Sequence, residues 1–441
     1  MISGWTECRL EDIQAEESGA LAGGPFGSDL VSADYQDAGV PVIRGSNFDA
    51  ESRFIRGPFV FVTPEKAELL ARNQARPGDV IFTQRGTLDQ VALLPDDLGH
   101  DAFVISQSQM KLTCDRKRVL PEYVYYWFRS PRALDYIHRH TIATGVPHTN
   151  LGILRQTPLL LPPLAEQERI VGYLLALDDR IAALRGIQGA ADQLFHLLFS
   201  AWFVDFTPIH DPSASAVPDE AAALYPDELE EGPHGVAPRG WPFRPLLAAA
   251  EFQNGTAFKN SDFTPAGEGL PVIKIAELRR GVGRQTRWSE SGGARRRLLR
   301  DGDLLFAWSG NPQTSIGSFL WGGGDAWLNQ HIFKVIPEAP ETRPYLYGLL
   351  THLLPRLVEI ARNHQTTGLG HIAKKDLRKL MVPTPPAELI VAFHAHSEAL
   401  VDAMIETQRE IGTLGRARDL LLPQLLSGQL RLGDVVPLRR R

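Results

Sequence analysis

The sequence predicts an α+β protein with two globular, β-rich domains separated by two long helices that pair as an antiparallel coiled coil. Three observations predict this fold class. A long heptad pattern covers residues 161–206, a weaker one covers residues 386–432, and the segments before the two patterns share motifs in the same order. Such a repeat with antiparallel helices would relate the two halves of the chain by a pseudo-twofold axis.

The first domain, residues 1–160, is predicted to be β-rich with helices near its end. Residues 40–43 and 80–83 are short apolar runs beside turn residues, and residues 105–112 alternate in the manner of one strand. Residues 121–140 have a helical pattern, and Ser130-Pro131 predicts a break between two helices.

The central helix is predicted from seam positions whose spacings of four and three residues alternate without a break. These positions are Ile170, Leu174, Leu177, Ile181, Leu184, Gln188, Ala191, Phe195, Leu198 and Trp202. Pro162-Pro163 marks its start, because proline can continue neither a strand ladder nor a helix interior. Such a long helix cannot bury its stripe against itself, so it needs an equally long partner.

The partner helix is predicted after Pro385-Pro386. The same register recurs at Phe393, Leu400, Met404, Ile411, Leu414, Leu421 and Leu425, and it is interrupted at Ser397, Thr407 and Arg418. Two unrelated amphipathic helices, each packed on its own domain, would also produce the two patterns. The repeat of the flanking domains favours a pair.

Motifs of the first domain recur in residues 239–385. Gly4-Trp5 recurs as Gly240-Trp241, residues 41–44 recur as 271–274, and residues 77–82 recur as 301–306. The pair Ser106-Gln107 with Lys111 recurs as Asn329-Gln330 with Lys334. Chance similarity between turn sequences is the alternative, but the shared order of the matches favours a duplication.

These patterns divide the chain into six segments. They are a first domain (1–160), a central helix (161–206), an acidic linker rich in proline and alanine with a short helix at 219–224 (207–238), a second domain (239–385), a second helix (386–432) and a basic tail (433–441). The net charge of −6 is unevenly distributed. Residues 239–385 contain 20 basic and 12 acidic side chains, whereas residues 1–160 contain 16 and 20. A basic second domain is compatible with a nucleic-acid partner.

The composition predicts a cytoplasmic protein without cofactor or metal. Cys8 and Cys114 are the only cysteines, so no disulfide framework or cysteine-based zinc site is expected. The N-terminus has no signal-peptide pattern, and no apolar run reaches membrane-spanning length. No phosphate-binding loop, dinucleotide fingerprint or complete methyltransferase or nuclease motif occurs. The sequence therefore predicts recognition or scaffolding and no catalysis.

Polar side chains cluster where loops follow the predicted strands of both domains. Arg, Gln and Asn make bidentate contacts with base edges, while Lys, Ser and Thr contact phosphates. Ordinary solvated loops are the alternative for each residue taken singly, and the run Arg295-Arg296-Arg297 with Arg300 is either phosphate-facing or solvated. The candidate DNA-binding residues are Arg44, Ser46, Asn47, Gln84, Arg85, Gln107, Gln109, Lys111, Thr144 and His148 in the first domain, and Lys274, Trp308, Asn311, Gln330, His331, Thr367, His371, Lys374 and Lys375 in the second.

The helix segments resemble the specificity (S) subunit of type I restriction–modification systems. The resemblance rests on PPLAEQ at residues 162–167 with Ile170, on LFSAWFVDF at 198–206 and on LLPQLLSG at 421–428. The duplicated layout extends it over nearly the whole chain, although the domain matches are loose. Ala387-Glu388-Leu389 departs from the pattern, because it lacks the glutamine of the Glu-Gln pair.

The resemblance implies that each domain is a target-recognition domain that reads one half of a split, asymmetric sequence in double-stranded DNA. It also implies that the helices act as a ruler and dock two methyltransferase (M) subunits, which endonuclease (R) subunits join. Adenine methylation and ATP-driven cleavage would then belong to the partners. The alternatives are an enzyme with a degenerate methyltransferase or nuclease motif, and a scaffold that binds only protein.

Overall fold

The computed structural model describes residues 4–49, 52–142, 147–213, 215, 217–233, 235–293, 297–365 and 368–432. The chain divides into two compact units. Unit 1 consists of Met1–Asp179 together with Ala417–Arg441, and unit 2 consists of Arg180–Arg416. Each unit thus combines one β-rich domain with parts of both long helices.

The strands of unit 1 are short and belong to two four-stranded sheets and a two-stranded ribbon. In chain order they are β1 (Thr6–Arg9), β2 (Leu21–Gly23), β3 (Val40–Ile43), β4 (Val60–Val62), β5 (Gln74–Ala75), β6 (Val80–Thr83), β7 (Val91–Leu93), β8 (Phe103–Ile105), β9 (Gln109–Leu112) and β10 (Pro158–Leu161). One sheet has the order β2-β9-β6-β7, the other has the order β4-β3-β8-β5, and β1 pairs with β10. Strands β3 and β8 are parallel, and the other pairs are antiparallel.

The shorter helices of unit 1 begin at a proline, at a capping side chain or at both. They are α1 (Pro64–Leu69), α2 (Pro121–Phe128), α3 (Pro131–His140), α4 (Leu151–Arg155) and the start of α5 (Leu164–Phe203). The predicted break at Ser130-Pro131 is confirmed, because the Ser130 side chain caps α3 by accepting a hydrogen bond from the Ala133 N–H. Helix α2 is buried along its length, and Tyr123 and Trp127 pack in the core with Phe82 of β6.

The prediction of one strand over residues 105–112 is wrong. Strand β8 ends at Ile105 and β9 begins at Gln109, and the two strands belong to different sheets. Between them the Gln109 N–H donates to the Ser106 carbonyl at 3.0 Å, which closes a turn. The apolar–polar alternation continues through this turn, so the pattern alone does not reveal where the chain leaves one sheet for the other.

Unit 2 repeats the architecture of unit 1. Its strands are β11 (Leu229–Gly232), β12 (Gly235–Pro238), β13 (Phe243–Pro245), β14 (Glu251–Asn254), β15 (Leu270–Ile273), β16 (Trp288–Ser289), β17 (Leu298–Leu299), β18 (Leu304–Ala307), β19 (Ser309–Gly310), β20 (Gly317–Leu320), β21 (Ala326–Leu328), β22 (Ile332–Ile336), β23 (Gly370–His371) and β24 (Met381–Pro383). Its helices are the end of α5, then α6 (Thr207–His210), α7 (Asp219–Ala222), α8 (Ile275–Arg280), α9 (Thr342–His352), α10 (Leu354–Asn363), α11 (Lys374–Lys379) and most of α12 (Ala387–Leu426).

The internal repeat is confirmed by strand order and by local geometry. The orders β14-β22-β18-β20 and β16-β15-β21-β17 match those of unit 1 strand for strand, and β13 pairs with β24 as β1 pairs with β10. Gly78 and Gly302 have the same φ of 90°, a left-handed conformation that favours glycine. Each donates its N–H at 2.7 Å to an equivalent carbonyl, that of Leu94 in unit 1 and that of Trp321 in unit 2.

The long helices α5 and α12 contain 40 residues each and pack against each other within both units. In unit 1, Ile170 and Leu174 near the start of α5 share a core with Leu422 and Leu425 near the end of α12. In unit 2, the Trp202 ring near the end of α5 lies 5.4 Å from Phe393 near the start of α12. The contacts run in opposite directions along the two helices, so the pairing is antiparallel, as predicted.

The seam residues follow the predicted register on α5 more closely than on α12. The predicted seam positions of both helices are buried or half-buried, but more of them are half-buried on α12, among them Leu400, Ile411, Leu414 and Leu421. Val401, which follows Leu400, is fully buried although it is not a predicted seam position. The polar interruptions have partners. Ser397 and Thr407 donate their hydroxyls to carbonyls one turn earlier, and Arg418 pairs with Asp178 at 2.8 Å.

The interval 207–238 was predicted to be a linker, and the structure corrects this. It contains α6, α7 near the predicted short helix, and the β11–β12 hairpin. Val217, Ala221 and Ala237 are buried in the core of unit 2, so apolar residues scattered among prolines and acids anchor the segment. The predicted tail 433–441 lies outside the described residues. Within the described ranges, no helix is both long and apolar enough to span a membrane.

Candidate nucleic-acid interface

The ends of several strands meet at one edge of unit 1, which we call rim 1 and define as residues 24–30, 44–47, 84–86, 106–108 and 147–149. Parallel strands β3 and β8 end side by side. Strand β9 is antiparallel to β2 and to β6, so its start lies beside the ends of both. The loops that follow β2, β3, β6 and β8 therefore converge.

Backbone hydrogen bonds connect the segments of rim 1. The Ser106 N–H donates to the Ile43 carbonyl at 2.9 Å, and the Gln84 N–H donates to the Ser108 carbonyl at 2.7 Å. The Thr149 N–H donates to the Gln84 carbonyl at 3.0 Å, which adds the segment before α4. The rim is thus a backbone scaffold from which side chains project.

Unit 2 has an equivalent edge, rim 2, which comprises residues 255–258, 274–277, 308–311, 329–331 and 370–375. The Asn329 N–H donates to the Ile273 carbonyl at 3.0 Å, and the Trp308 N–H donates to the His331 carbonyl at 3.3 Å. The Ile372 N–H donates to the Trp308 carbonyl at 2.9 Å. These bonds are the counterparts of the three in rim 1, so positions can be equated one by one.

The two rims have different side chains at equivalent positions. Gln84 of rim 1 corresponds to Trp308, Arg85 to Ser309, and Ser108 to His331, as the shared hydrogen bonds define them. Arg44, which follows β3, corresponds to Lys274, which follows β15. One scaffold therefore presents two different chemical surfaces.

Several predicted DNA-binding residues of rim 1 have access to solvent. Arg85 and Ser46 are exposed, and Arg44, Gln84 and His148 are half-buried. The Arg44 guanidinium lies 5.9 Å from the centre of the Tyr35 ring, a position that restrains this long side chain.

Four predicted residues of unit 1 instead have structural roles. Asn47 is buried, accepts from the Arg44 N–H and donates to the carbonyls of Arg56 and Pro58. Gln109 is fully buried and accepts from the Ser106 hydroxyl. The Gln107 amide nitrogen donates to the carbonyls of Gly27 and Leu30. These side chains form the loops, and for Asn47 and Gln109 burial contradicts the predicted DNA contact.

Lys111 is the fourth residue, and its predicted contact with DNA is also wrong. It lies within β9, where its Nζ is 3.6 Å from the Asp79 carboxylate, and both side chains are buried. Burial raises the pKa of Asp79, although Lys111 and the Arg76 N–H act in the opposite direction. In unit 2 the equivalent Lys334 and Asp303 form an ion pair at 2.6 Å. The lysine therefore recurs in both units as a member of an ion pair within the fold.

Rim 2 contains an aromatic and cationic cluster. The Trp308 ring is stacked on Phe333 at 5.5 Å and lies 5.7 Å from His331. The Lys374 ammonium lies 5.6 Å from the Phe333 ring centre. His371 is exposed and stacks on His364 at 5.4 Å. The structure therefore brings together predicted residues that lie up to 66 positions apart (308 to 374) in the sequence.

The remaining predicted residues of unit 2 have varied environments. Gln330 and Lys375 are exposed on rim 2, and Lys274 is half-buried with its ammonium 5.1 Å from the Phe263 ring centre. Asn311 is exposed, and its side-chain oxygen accepts hydrogen bonds from the N–H groups of Gln313 and Thr314. These bonds stabilise a turn. Thr144, Thr367, Arg295 and Arg296 lie outside the described residues.

Arg297 and Phe26 were not among the predicted site residues. Arg297 donates to the Thr256 hydroxyl at 3.3 Å and lines a polar cleft with Asn254 and Lys374. The run of arginines was the sequence signal for it, but the run does not distinguish an arginine that lines the cleft from a solvated one. Phe26 lies on rim 1 in a glycine-rich turn, and nothing in the sequence indicates that its ring is exposed. Among the described residues, no group of three or more His, Cys, Asp and Glu side chains could hold a metal ion.

Comparison with protein families gives a match over most of the chain. The model of the type I restriction modification DNA specificity domain matches residues 4–190 and 238–393, one segment for each repeat. The specificity subunit of the type I restriction enzyme MjaIX from Methanocaldococcus jannaschii is 21% identical over 440 residues, covering 98% of this chain and 94% of that protein. The HindI specificity subunit from Haemophilus influenzae is 21% identical over 422 residues, covering 82% of this chain and 88% of that protein.

A solved structure has a similar fold. The crystal structure of the type I restriction-modification system S subunit from M. genitalium matches with a TM-score of 0.54 and 15% sequence identity. The match covers 96% of both chains. At this identity the similarity concerns the fold alone.

Proposed function

This chain belongs to the type I restriction modification DNA specificity family, and on that premise we propose that its two domains read the two halves of a split target in double-stranded DNA. The observation that carries the proposal is the pair of rims. They have one backbone geometry and different side chains, Gln84 and Arg85 on rim 1 against Trp308 and Ser309 on rim 2. A duplicated scaffold with different surface chemistry suits an asymmetric, two-part sequence.

The two rims would contribute different kinds of contact to DNA binding. Rim 1 offers Arg85, Gln84 and Arg44, side chains that make bidentate contacts with guanine or adenine edges. Rim 2 offers the ammonium groups of Lys374 and Lys375 and the imidazoles of His331 and His371. Phosphate contacts position a protein without reading the sequence, so the lysines would supply affinity and the histidines and Gln330 would supply base contacts.

We further propose that the chain acts within an assembly of subunits. Two M subunits would dock on the long helices, and R subunits would join this complex. Helix α5 supports the proposal with a second apolar stripe outside the α5–α12 seam, formed by the exposed Ile187, Ala190, Leu194 and Leu197. The chain would supply recognition, and its partners would supply methyl transfer and DNA cleavage.

Exchange of one domain tests the proposal. Residues 239–385 are replaced by the equivalent segment of a relative with a different target, and the altered subunit is expressed with its M partner. Sequencing of modified adenines in the host genome should show that one half of the methylated motif changes. The other half should remain, because rim 1 is unaltered.

The reciprocal exchange of residues 1–160 serves as the control and should change only the other half. A change in both halves in either experiment would contradict one domain for each half-site. Wild-type methylation without any defined motif would contradict sequence reading by this chain.

A further inference from the structure

We propose that Phe26 is a DNA contact of unit 1, whose ring packs against the apolar surface of a base. The proposal rests on the function proposed above and adds a residue outside the polar set. Phe26 is 85% exposed although it is a large apolar side chain. A single exposed apolar side chain is ordinary on a protein surface, so the proposal depends on where Phe26 lies, on rim 1 beside candidate DNA contacts.

The Phe26 loop is held firmly by the protein. The Gly24 N–H donates to the Gln109 carbonyl at 2.8 Å, and the Asp29 N–H donates to the Phe26 carbonyl at 2.8 Å. The Gln107 side chain donates to the carbonyls of Gly27 and Leu30, each at 2.9 Å. The ring is therefore displayed from a tight turn, and binding would cost little conformational entropy of the backbone.

The surroundings of the loop favour DNA over an apolar protein surface. A Cβ atom on Gly24 would lie 2.0 Å from the Ser106 carbonyl, so the glycine lets the loop lie directly on the end of β8. Gly23 lies against the side-chain oxygen of Gln84, 3.8 Å from a Cβ placed on that glycine. The loop thus lies beside Gln84, and Arg85 follows on the same rim.

Unit 2 shows that the fold does not require such an exposed ring. Its equivalent loop carries Phe258, which is half-buried and stacked on Phe263 at 5.9 Å with an interplanar angle of 19°. The Arg287 guanidinium lies 5.6 Å from the same Phe263 ring. In unit 2 the aromatic side chain is packed against protein, so the exposure of Phe26 is a property of rim 1 alone.

Duplex DNA offers two apolar surfaces to an exposed ring. One is the thymine methyl group in the major groove. The other is a base-pair step into which an apolar side chain inserts, which unstacks the bases and bends the duplex. Both contacts use the same chemistry, and DNA probes can distinguish them.

The test uses the full chain assembled with its M subunit and a duplex that carries the motif methylated by the wild-type complex. Phe26→Ala should weaken binding to this duplex by about tenfold, within the range for loss of an aromatic–base contact. Phe26→Leu should retain part of the affinity. Leu69→Ala is the matched control, because Leu69 is 83% exposed on α1 and lies outside rim 1, and it should leave the affinity unchanged.

Modified duplexes then identify the surface that Phe26 contacts. If wild type loses affinity when one thymine is replaced by uracil, and Phe26→Ala does not, the contact is with the methyl group. If 2-aminopurine fluorescence rises at one base step with wild type but not with Phe26→Ala, the ring inserts at that step. Either result supports the proposal.

Two results would overturn it. In the first, an assembled Phe26→Ala complex with unchanged melting temperature binds the duplex within twofold of wild type. In the second, the variant assembles poorly with the M subunit but the fraction that does assemble binds DNA normally, which would make Phe26 a protein contact. If the wild-type complex does not distinguish the motif duplex from a scrambled one, the proposed function itself fails.

Discussion

At the scale of residues, the buried pair of Lys111 and Asp79 shows how this scaffold uses charge. The Asp79 carboxylate accepts from the Arg76 N–H at 2.9 Å and lies 3.6 Å from the Lys111 ammonium. A buried ion pair contributes little net stability, but removing one partner leaves an uncompensated charge. The pair therefore stabilises the turn before β6 only while both members are present.

We expect Lys111→Met to lower the free energy of unfolding by about 3–5 kcal/mol, because it leaves the Asp79 carboxylate buried without its cation. The double variant Asp79→Asn/Lys111→Met should recover most of this loss, since asparagine can still accept the Arg76 N–H. Urea unfolding monitored by circular dichroism measures both. A stable Lys111→Met protein that loses DNA binding would instead support a DNA contact for this lysine.

The loss in Lys111→Met should also depend on pH. Burial raises the pKa of Asp79 above its unfolded value of about 3.9, and removal of Lys111 should raise it further. The folded state then binds more protons than the unfolded state, so the free energy of unfolding falls as the pH rises above about 4. The variant should therefore be closest to wild type in acid and furthest from it at neutral pH, whereas the double variant should lack this trend.

The lysines of rim 2 affect binding through the phosphates. Lys374 and Lys375 are exposed at the start of α11, in the segment with 20 basic and 12 acidic residues. Changing both to glutamine should reduce the slope of log K against log salt by up to about 1.8, because each phosphate contact contributes about 0.9. Lys117→Gln is the control, since Lys117 is exposed outside both rims. An unchanged slope in the double variant would show that these lysines face away from DNA.

At the scale of elements, the two long helices begin in different ways. Gln167 is buried in the first turns of α5, where it accepts from the Leu120 N–H and donates to the carbonyls of Arg118 and Pro162. Helix α12 lacks this glutamine, yet it begins at Ala387 with Leu389 fully buried. The N–H groups of Gln167 and Ile390 both donate to the carbonyl of the second proline before their helix, so the two positions are equivalent. Ile390 is half-buried, and α12 therefore begins without the side-chain hydrogen bonds that the glutamine makes in α5.

The helices were predictable because a heptad pattern reports directly on a buried stripe. The strands were harder, because β8 and β9 lie in different sheets while the residues between them continue the alternation. The rims were predicted as loop clusters, but side-chain type does not reveal burial. Lys111 and Gln109 look like surface residues in the sequence and are buried, whereas Phe26 looks like a core residue and is exposed.

The second stripe of α5 provides a prediction at the same scale. Ile187, Leu194 and Leu197 are 49%, 54% and 69% exposed and, with Ala190 between them, follow helical spacing. Changing Leu194 and Leu197 to glutamate should leave the fold intact and abolish co-purification with the M subunit, because apolar docking surfaces do not tolerate charge. The control is Ala182→Glu/Gly189→Glu, which places two charges at exposed positions of α5 that are neither three nor four residues from any member of the stripe. Normal assembly of the stripe variant would place the M subunit elsewhere.

At the scale of the whole molecule, duplication allows one scaffold to carry two surfaces. The strand orders, the glycine turns and the ion pairs of β9 and β22 recur in both units. The side chains on the rims differ, as at Gln84 and Trp308. Both long helices contribute residues to each unit. The length of the two helices can therefore be changed without altering either rim.

The last prediction concerns that length. Duplicating residues 182–185 of α5 together with residues 411–414 of α12 adds about 6 Å to each helix at 1.5 Å per residue. Four residues are slightly more than one turn, so the seam should realign after a local stutter. If the helices set the distance between half-sites, the spacer should lengthen by one or two base pairs, since DNA rises about 3.4 Å per base pair. Sequencing of methylated motifs measures this, and the half-sites should stay the same. The insertion in α5 alone is the control and should impair methylation, because it shifts one helix against the other. An unaltered spacer with intact methylation by the doubly extended chain would show that the helices do not determine the separation.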